Sequence, residues 1–205
     1  MPLLQQKEGG SVLIMTNLVK FVDEYGVPVF EWQRDFGNTF VNRITKSGGK
    51  GTFLCTAATN SGKSYGAGLC MRHAKEKFGI KKFVIVTPTN IVQAGWPADV
   101  LPFGINLTSQ ASNKRLVGLK TDPFLDGFVV TFQQVQCNRL IFRKITEETD
   151  TMVTFDEFHH MGKELSWGTA CTAAFQHANI KLSLSATPYR VDGQAIPFQE
   201  YENEN

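Results

Sequence analysis

Two short stretches gather the residues best suited to handling phosphate. The first runs from Ala57 to Ser64 and reads Ala-Ala-Thr-Asn-Ser-Gly-Lys-Ser, between an apolar run and a helix-like pattern. In that setting successive backbone N–H groups curl around phosphate oxygens at a helix N-terminus. Lys63 would neutralise the β- and γ-phosphates, and the Ser64 hydroxyl would take a Mg²⁺ position. Asn60 stands where a glycine is common. Asparagine is among the few side chains that tolerate positive φ, so Asn60 is predicted to lie in or near that region. Ala57 is small enough to keep the loop tight. The same four letters, Ser-Gly-Lys-Ser, also fit a helix N-cap followed by a surface lysine.

The second stretch is Met152-Val-Thr-Phe-Asp-Glu-Phe-His-His160, which sets Asp156 and Glu157 directly after residues expected to be buried. Adjacent carboxylates at such a place are costly unless they serve a cation or a reaction. Asp156 would hold Mg²⁺ through water, and Glu157 would orient and activate an attacking water. The alternative is a pair of helix N-cap acids with His159 and His160 as surface residues. No third ligand at suitable spacing supports a zinc site.

The elements that must position these residues follow from the apolar pattern. Strands are predicted at 52–57, 82–88, 127–132, 151–157 and 180–187, with a weaker one near 105–109. Helices are expected over 31–44, 62–78, 90–98 and 169–177, and residues 18–26 carry helix-like apolar spacing ending at a glycine. Short, almost wholly apolar strands between helices indicate an α/β domain with a mostly parallel sheet covered on both faces. Each strand ends in small or polar residues, and parallel sheets bind ligands at their carboxyl ends.

Composition sets bounds on the rest. The chain has 205 residues, 42% hydrophobic and 20% charged, with a formal net charge of +2. That charge is too small to identify a nucleic-acid binder by itself, although small basic clusters are present. Cys55, Cys70, Cys137 and Cys171 are spread without a C-x-x-C pair, which suits reduced thiols in a cytoplasmic protein. No apolar run approaches the ~20 residues of a membrane span, so a soluble, intracellular protein with no membrane partner is expected.

With both motifs in hand, their order along the chain resembles the first RecA-like motor domain of superfamily 2 helicases and translocases. The likeness is to the DExH branch near the DNA-repair and restriction-enzyme motors. "AATNSGKS" is similar to that family's phosphate loop, in which alanine at the first position is normal. "VIVTPTNIVQAGW" resembles its motif Ia, "VVTFQQV" its motif Ib, "DEFHH" its motif II and "LSLSATPYRVDG" its motif III. "EWQRDF" resembles the glutamine motif that reads adenine, with Gln33 in that place. The resemblance covers roughly residues 30–193 and implies ATP and Mg²⁺ as cofactors. It implies that Thr59, Asn60, Ser61, Gly62, Lys63 and Ser64 bind the triphosphate, that Asp156 holds Mg²⁺ and that Glu157 is the catalytic base. His159 would link the nucleotide site to the other lobe, and Ser185 and Thr187 would couple hydrolysis to strand movement. Thr87, Pro88, Thr89, Thr131 and Gln133 would grip a nucleic-acid backbone, DNA being favoured over RNA.

The resemblance also divides the chain. Residues 1–30 are expected to form an extension, helical in character, 31–193 the ATP-binding domain, and 194–205 a tail. Motors of this family need a second RecA-like lobe that supplies arginines across a cleft. The 15 residues after Arg190 leave no room for one, so it is expected in a full-length protein or on a partner chain. A second reading is a single-lobe regulatory module that binds nucleotide and partners another motor without hydrolysing ATP. A P-loop kinase is a third, weakened by "SATPYR" and by the absence of an arginine-rich lid.

Overall fold

The computed structural model describes residues 20–112, 116, 118, 122–158 and 165–186. It opens with an antiparallel ribbon of β1 (Lys20–Val22) and β2 (Pro28–Phe30), pairing Phe21 with Val29. Over residues 20–26 this corrects the helix expected across 18–26, whose first two residues lie outside the described ones. The Asp23 carboxylate accepts the backbone N–H groups of Tyr25 at 3.0 Å and Val27 at 2.7 Å, and Gly26 has φ +80°. An aspartate that binds the backbone two residues on turns the chain back, and strand-prone Phe21 and Val22 then pair with Val29 and Pro28.

From there strand and helix alternate. α1 (Glu31–Lys46) leads to β3 (Gly51–Thr56), α2 (Lys63–Phe78), β4 (Lys82–Thr87) and α3 (Asn90–Val100). After a 3₁₀ turn come β5 (Leu107–Thr108), β6 (Gly127–Thr131), α4 (Phe132–Glu148), β7 (Thr151–Asp156), α5 (Leu165–Phe175) and β8 (Ile180–Ser185). The six strands β3 to β8 form one sheet in the spatial order β3-β8-β7-β4-β6-β5, and every pairing in it is parallel.

The central strands β4, β6 and β7 are buried along their whole length because helices cover both faces. Along β4, Phe83 and Ile85 join a core with Phe36 and Phe40 of α1 and Leu69 and Met71 of α2. Val84 and Val86, pointing the other way, join a core with Val135 and Phe142 of α4 and Phe175 of α5. Phe83, Phe128 and Phe155 are wholly buried, each worth about 1.5–3 kcal/mol relative to exposure. This is the α/β, mostly parallel architecture that the sequence pattern implies. Among the described residues no helix is long and apolar enough to cross a membrane.

Candidate active site

β8 runs between β3 and β7, so the loop leaving β3 and the carboxylates leaving β7 share one edge of the sheet. Ser185, at the end of β8, lies between them, and its carbonyl accepts the Ala57 N–H at 3.0 Å. Across this gap the side chains meet. Lys63, the first residue of α2, folds back so that Nζ donates to the carbonyls of Ala57 at 3.1 Å and Ala58 at 3.2 Å. The same Nζ lies 3.7 Å from Glu157 Oε1.

The backbone here is unusual. Among the described residues only Asn60 (φ +58°) and Glu157 (φ +48°) adopt positive φ without being glycine. Conformations of this kind cost ~1–3 kcal/mol each and gather where function requires them. Both flank Lys63. Asn60 has the positive φ expected from its type, and Gly62 follows at φ +82°. Between them Ser61 is 2% exposed and its Oγ has no hydrogen-bond partner among the described residues. A buried hydroxyl without a partner at the mouth of a helix fits a loop whose donors are directed at an anion.

Asn60→Gly is therefore expected to bind ATP within about twofold of the unaltered protein. Asn60→Val, which forces a β-branched side chain to positive φ, should weaken binding about fivefold or more, on the order of 1 kcal/mol. Calorimetric titration of both variants, with thermal melts as a folding control, checks this.

Gln33 has a different setting from an open base reader. It is 2% exposed; its amide nitrogen donates to the Gly62 carbonyl at 2.9 Å and its amide oxygen accepts the Phe30 N–H at 2.8 Å. It caps α1 and braces the phosphate loop in one stroke. A Cβ at Gly62 would come within 2.6 Å of the Gln33 amide nitrogen, so a larger residue there would have to displace that amide and also hold φ +82°.

Asp156 is buried at 9% exposure, and its Oδ2 accepts the indole N–H of Trp96 at 2.9 Å. Burial pushes its carboxyl above the ordinary aspartate range and the Glu157 charge adds to this, while the Trp96 hydrogen bond and the Lys63 charge oppose it. A cation beside Asp156 would relieve that cost. Ser64 is half-buried in the first turn of α2, and Thr59 is exposed on the loop. Among the described residues no three His, Cys, Asp or Glu side chains gather into a metal cluster. Mg²⁺ does not need one, because it usually keeps waters and binds one or two carboxylates together with substrate phosphates. Lys63, Ser64 and Asp156 suit such a shared site.

The residues expected to grip a strand divide in two. Thr87 is wholly buried, and its hydroxyl donates to the carbonyls of Thr89 at 3.2 Å and Val130 at 3.3 Å. Its side chain braces β4 against β6 and is not available to a backbone phosphate. Thr131 is also buried and caps α4, its Oγ1 accepting the Gln134 N–H at 3.3 Å while its own N–H donates to Gln134 Oε1 at 2.9 Å. Pro88, Thr89 and Gln133 remain at the surface, Thr89 as the N-cap of α3. His159 and Thr187 lie outside the described residues. None of the four cysteines is in a disulfide, and burial pushes the Cys55 thiol up to about 12. Trp96 has no counterpart among the residues singled out from sequence. The one hint is that a buried carboxylate at a strand end requires a donor, which does not say which donor.

The fold, with the family and structure matches that follow, is that of a RecA-like domain of the superfamily 2 helicase type, an ATPase lineage. Within that class, residues 27–190 match the family described as type III restriction enzyme, res subunit, and the chain belongs to that family. This sets aside the kinase reading. An uncharacterized protein of Mycobacterium leprae (strain TN) is 33% identical over 149 residues, covering 73% of this chain and 24% of its own length. An uncharacterized protein of Mycobacterium tuberculosis (strain ATCC 25618 / H37Rv) is 32% identical over 150 residues, with the same coverage. The chain thus spans about a quarter of the length of these curated relatives. Two solved structures share the fold. The UvsW helicase from bacteriophage T4 superposes with a TM-score of 0.54 at 20% identity, covering 79% of this chain and 54% of that one. The Hef helicase domain of Pyrococcus furiosus gives 0.55 at 14% identity, covering 77% and 32%.

Proposed function

We propose that this chain is the ATP-binding lobe of a nucleic-acid-dependent motor, a helicase or translocase that couples ATP hydrolysis to movement on DNA when joined to a second lobe. The observation that carries the reading is the meeting of Lys63 and Glu157, 3.7 Å apart, at the edge where Asn60 and Glu157 both hold positive φ. The second lobe belongs to a longer protein or to a partner chain, as the greater length of the relatives allows.

The residues divide the work by charge and placement. Backbone N–H groups from Thr59 to Ser64 hold the phosphates, and Lys63 neutralises the charge on the outer two. Ser64 and Asp156 hold Mg²⁺, which when bound supplies charge neutralisation at the β- and γ-phosphate oxygens. The Glu157 carboxylate orients the attacking water and accepts its proton. Gln33 keeps the loop in shape through Gly62. Ser185, with His159 and Thr187, relays the state of the site to the other lobe. Pro88, Thr89 and Gln133 present the surface that meets the nucleic-acid backbone, with backbone groups of Thr87 and Thr131 beside them.

The test is steady-state phosphate release by the two-lobe protein with duplex DNA, with RNA, and with neither. DNA should stimulate turnover the most. Turnover indifferent to any nucleic acid would remove the motor reading.

A further inference from the structure

Asp156 reaches the carboxyl edge with one oxygen already committed. Trp96 Nε1 donates to Asp156 Oδ2 at 2.9 Å, and both side chains are buried, at 3% and 9% exposure. The donor comes from α3, not from the loop, the start of α2 or the end of β7 that carry the other phosphate-handling residues. An indole N–H can only donate, so the bond singles out one carboxylate oxygen and fixes the rotation of the group. With Oδ2 held by the indole, and a backbone hydrogen bond from Glu157 also reaching the carboxylate, the group meets a cation in one set orientation.

The mount that holds this indole is stiff. Trp96 belongs to the core shared with α2, and Pro97 fixes φ directly after it. One turn earlier, the Gln93 amide donates to the carbonyls of Val129 at 2.8 Å and Ser109 at 3.0 Å, clamping α3 to β6 and to the loop after β5. An indole seated this firmly resists rotation of the carboxylate it binds.

We propose that Trp96 is a positioning residue for the metal-binding carboxylate, its indole setting the orientation in which Asp156 faces Mg²⁺ and its water shell, and joining α3 rigidly to the ATP site. The proposal rests on the reading of Asp156 as a Mg²⁺ ligand. Partners of this kind typically cost 10–100-fold in metal affinity when removed. Because Thr89 caps the same helix, a strand pressing on the start of α3 would reach Asp156 through a single side chain.

Trp96→Phe keeps an aromatic ring in the core and deletes the donor. The half-saturating Mg²⁺ concentration for ADP binding should rise about tenfold, while ADP affinity in EDTA stays within about twofold. In an Asp156→Asn background the same replacement should leave the Mg²⁺ requirement unmoved, which a general packing defect would not do. Should the variant fail to fold, the unaltered protein supplies a second measurement. Its three tryptophans give three indole N–H resonances, and Mg²⁺ added to the ADP-saturated protein should shift the one assigned to Trp96. An unchanged Mg²⁺ requirement in folded Trp96→Phe overturns the proposal, as does a Trp96 resonance that ignores Mg²⁺. Nucleotide binding by the unaltered protein that is indifferent to Mg²⁺ overturns the reading of Asp156 and the proposal with it, which tells the two failures apart.

Discussion

Lys63→Ala is expected to weaken Mg²⁺–ATP binding by about tenfold or more, at least ~1.4 kcal/mol. An ammonium has three donors, and the Ala57 and Ala58 carbonyls engage two of them. The third is what a phosphate would take, in competition with Glu157 at 3.7 Å. Removing Lys63 deletes that cation and also leaves two loop carbonyls without their shared donor, so loop shape and charge are lost together. The replacement also strips a countercharge from the Glu157 side, and some loss of thermal stability should accompany the loss of affinity. Calorimetry at a temperature where circular dichroism shows a folded chain separates the two effects. Unchanged affinity in the folded variant would remove the phosphate-loop assignment.

What the sequence made legible depends on how local each cause is. The strands β3, β4, β6, β7 and β8 were readable because burial on both faces leaves a run of apolar residues with polar ends. Asn60 was readable too, since its positive φ follows from residue type and from the glycine usual at that place. The ribbon of β1 and β2 was not. "LVKFV" satisfies helical spacing, and the competing cause is the Asp23 side chain seizing two backbone N–H groups, a local bond that apolar spacing does not register. Gln33 was singled out from its motif, but its two bonds to Gly62 and Phe30 emerge only when α1 lies beside the phosphate loop. Thr87 was placed at the right edge, while its inward rotation depends on the Val130 carbonyl of β6. Trp96 meets Asp156 across 60 positions of sequence, and no periodicity links them.

Glu157→Gln should abolish ATP hydrolysis by the two-lobe protein while leaving ATP binding intact. The amide is nearly isosteric with the carboxylate, so the positive φ of Glu157 imposes no new cost on the variant. What disappears is the charge, and with it the acceptor that the proposed mechanism assigns to the proton of the attacking water. The same charge now draws Lys63 away from any phosphate, from 3.7 Å. Its removal frees the lysine, so ATP affinity should hold or rise by a few-fold, on the order of 0.5–1 kcal/mol for a partly exposed ion pair. The two effects point in opposite directions, which distinguishes this variant from a damaged one, where binding and turnover fall together. Fluorescent-nucleotide binding and single-turnover phosphate release on one preparation measure both. Turnover in Glu157→Gln close to that of the unaltered protein would mean that another group accepts the proton. Affinity lost in step with turnover would mean instead that the carboxylate shapes the site, and its role as a base would then have no support.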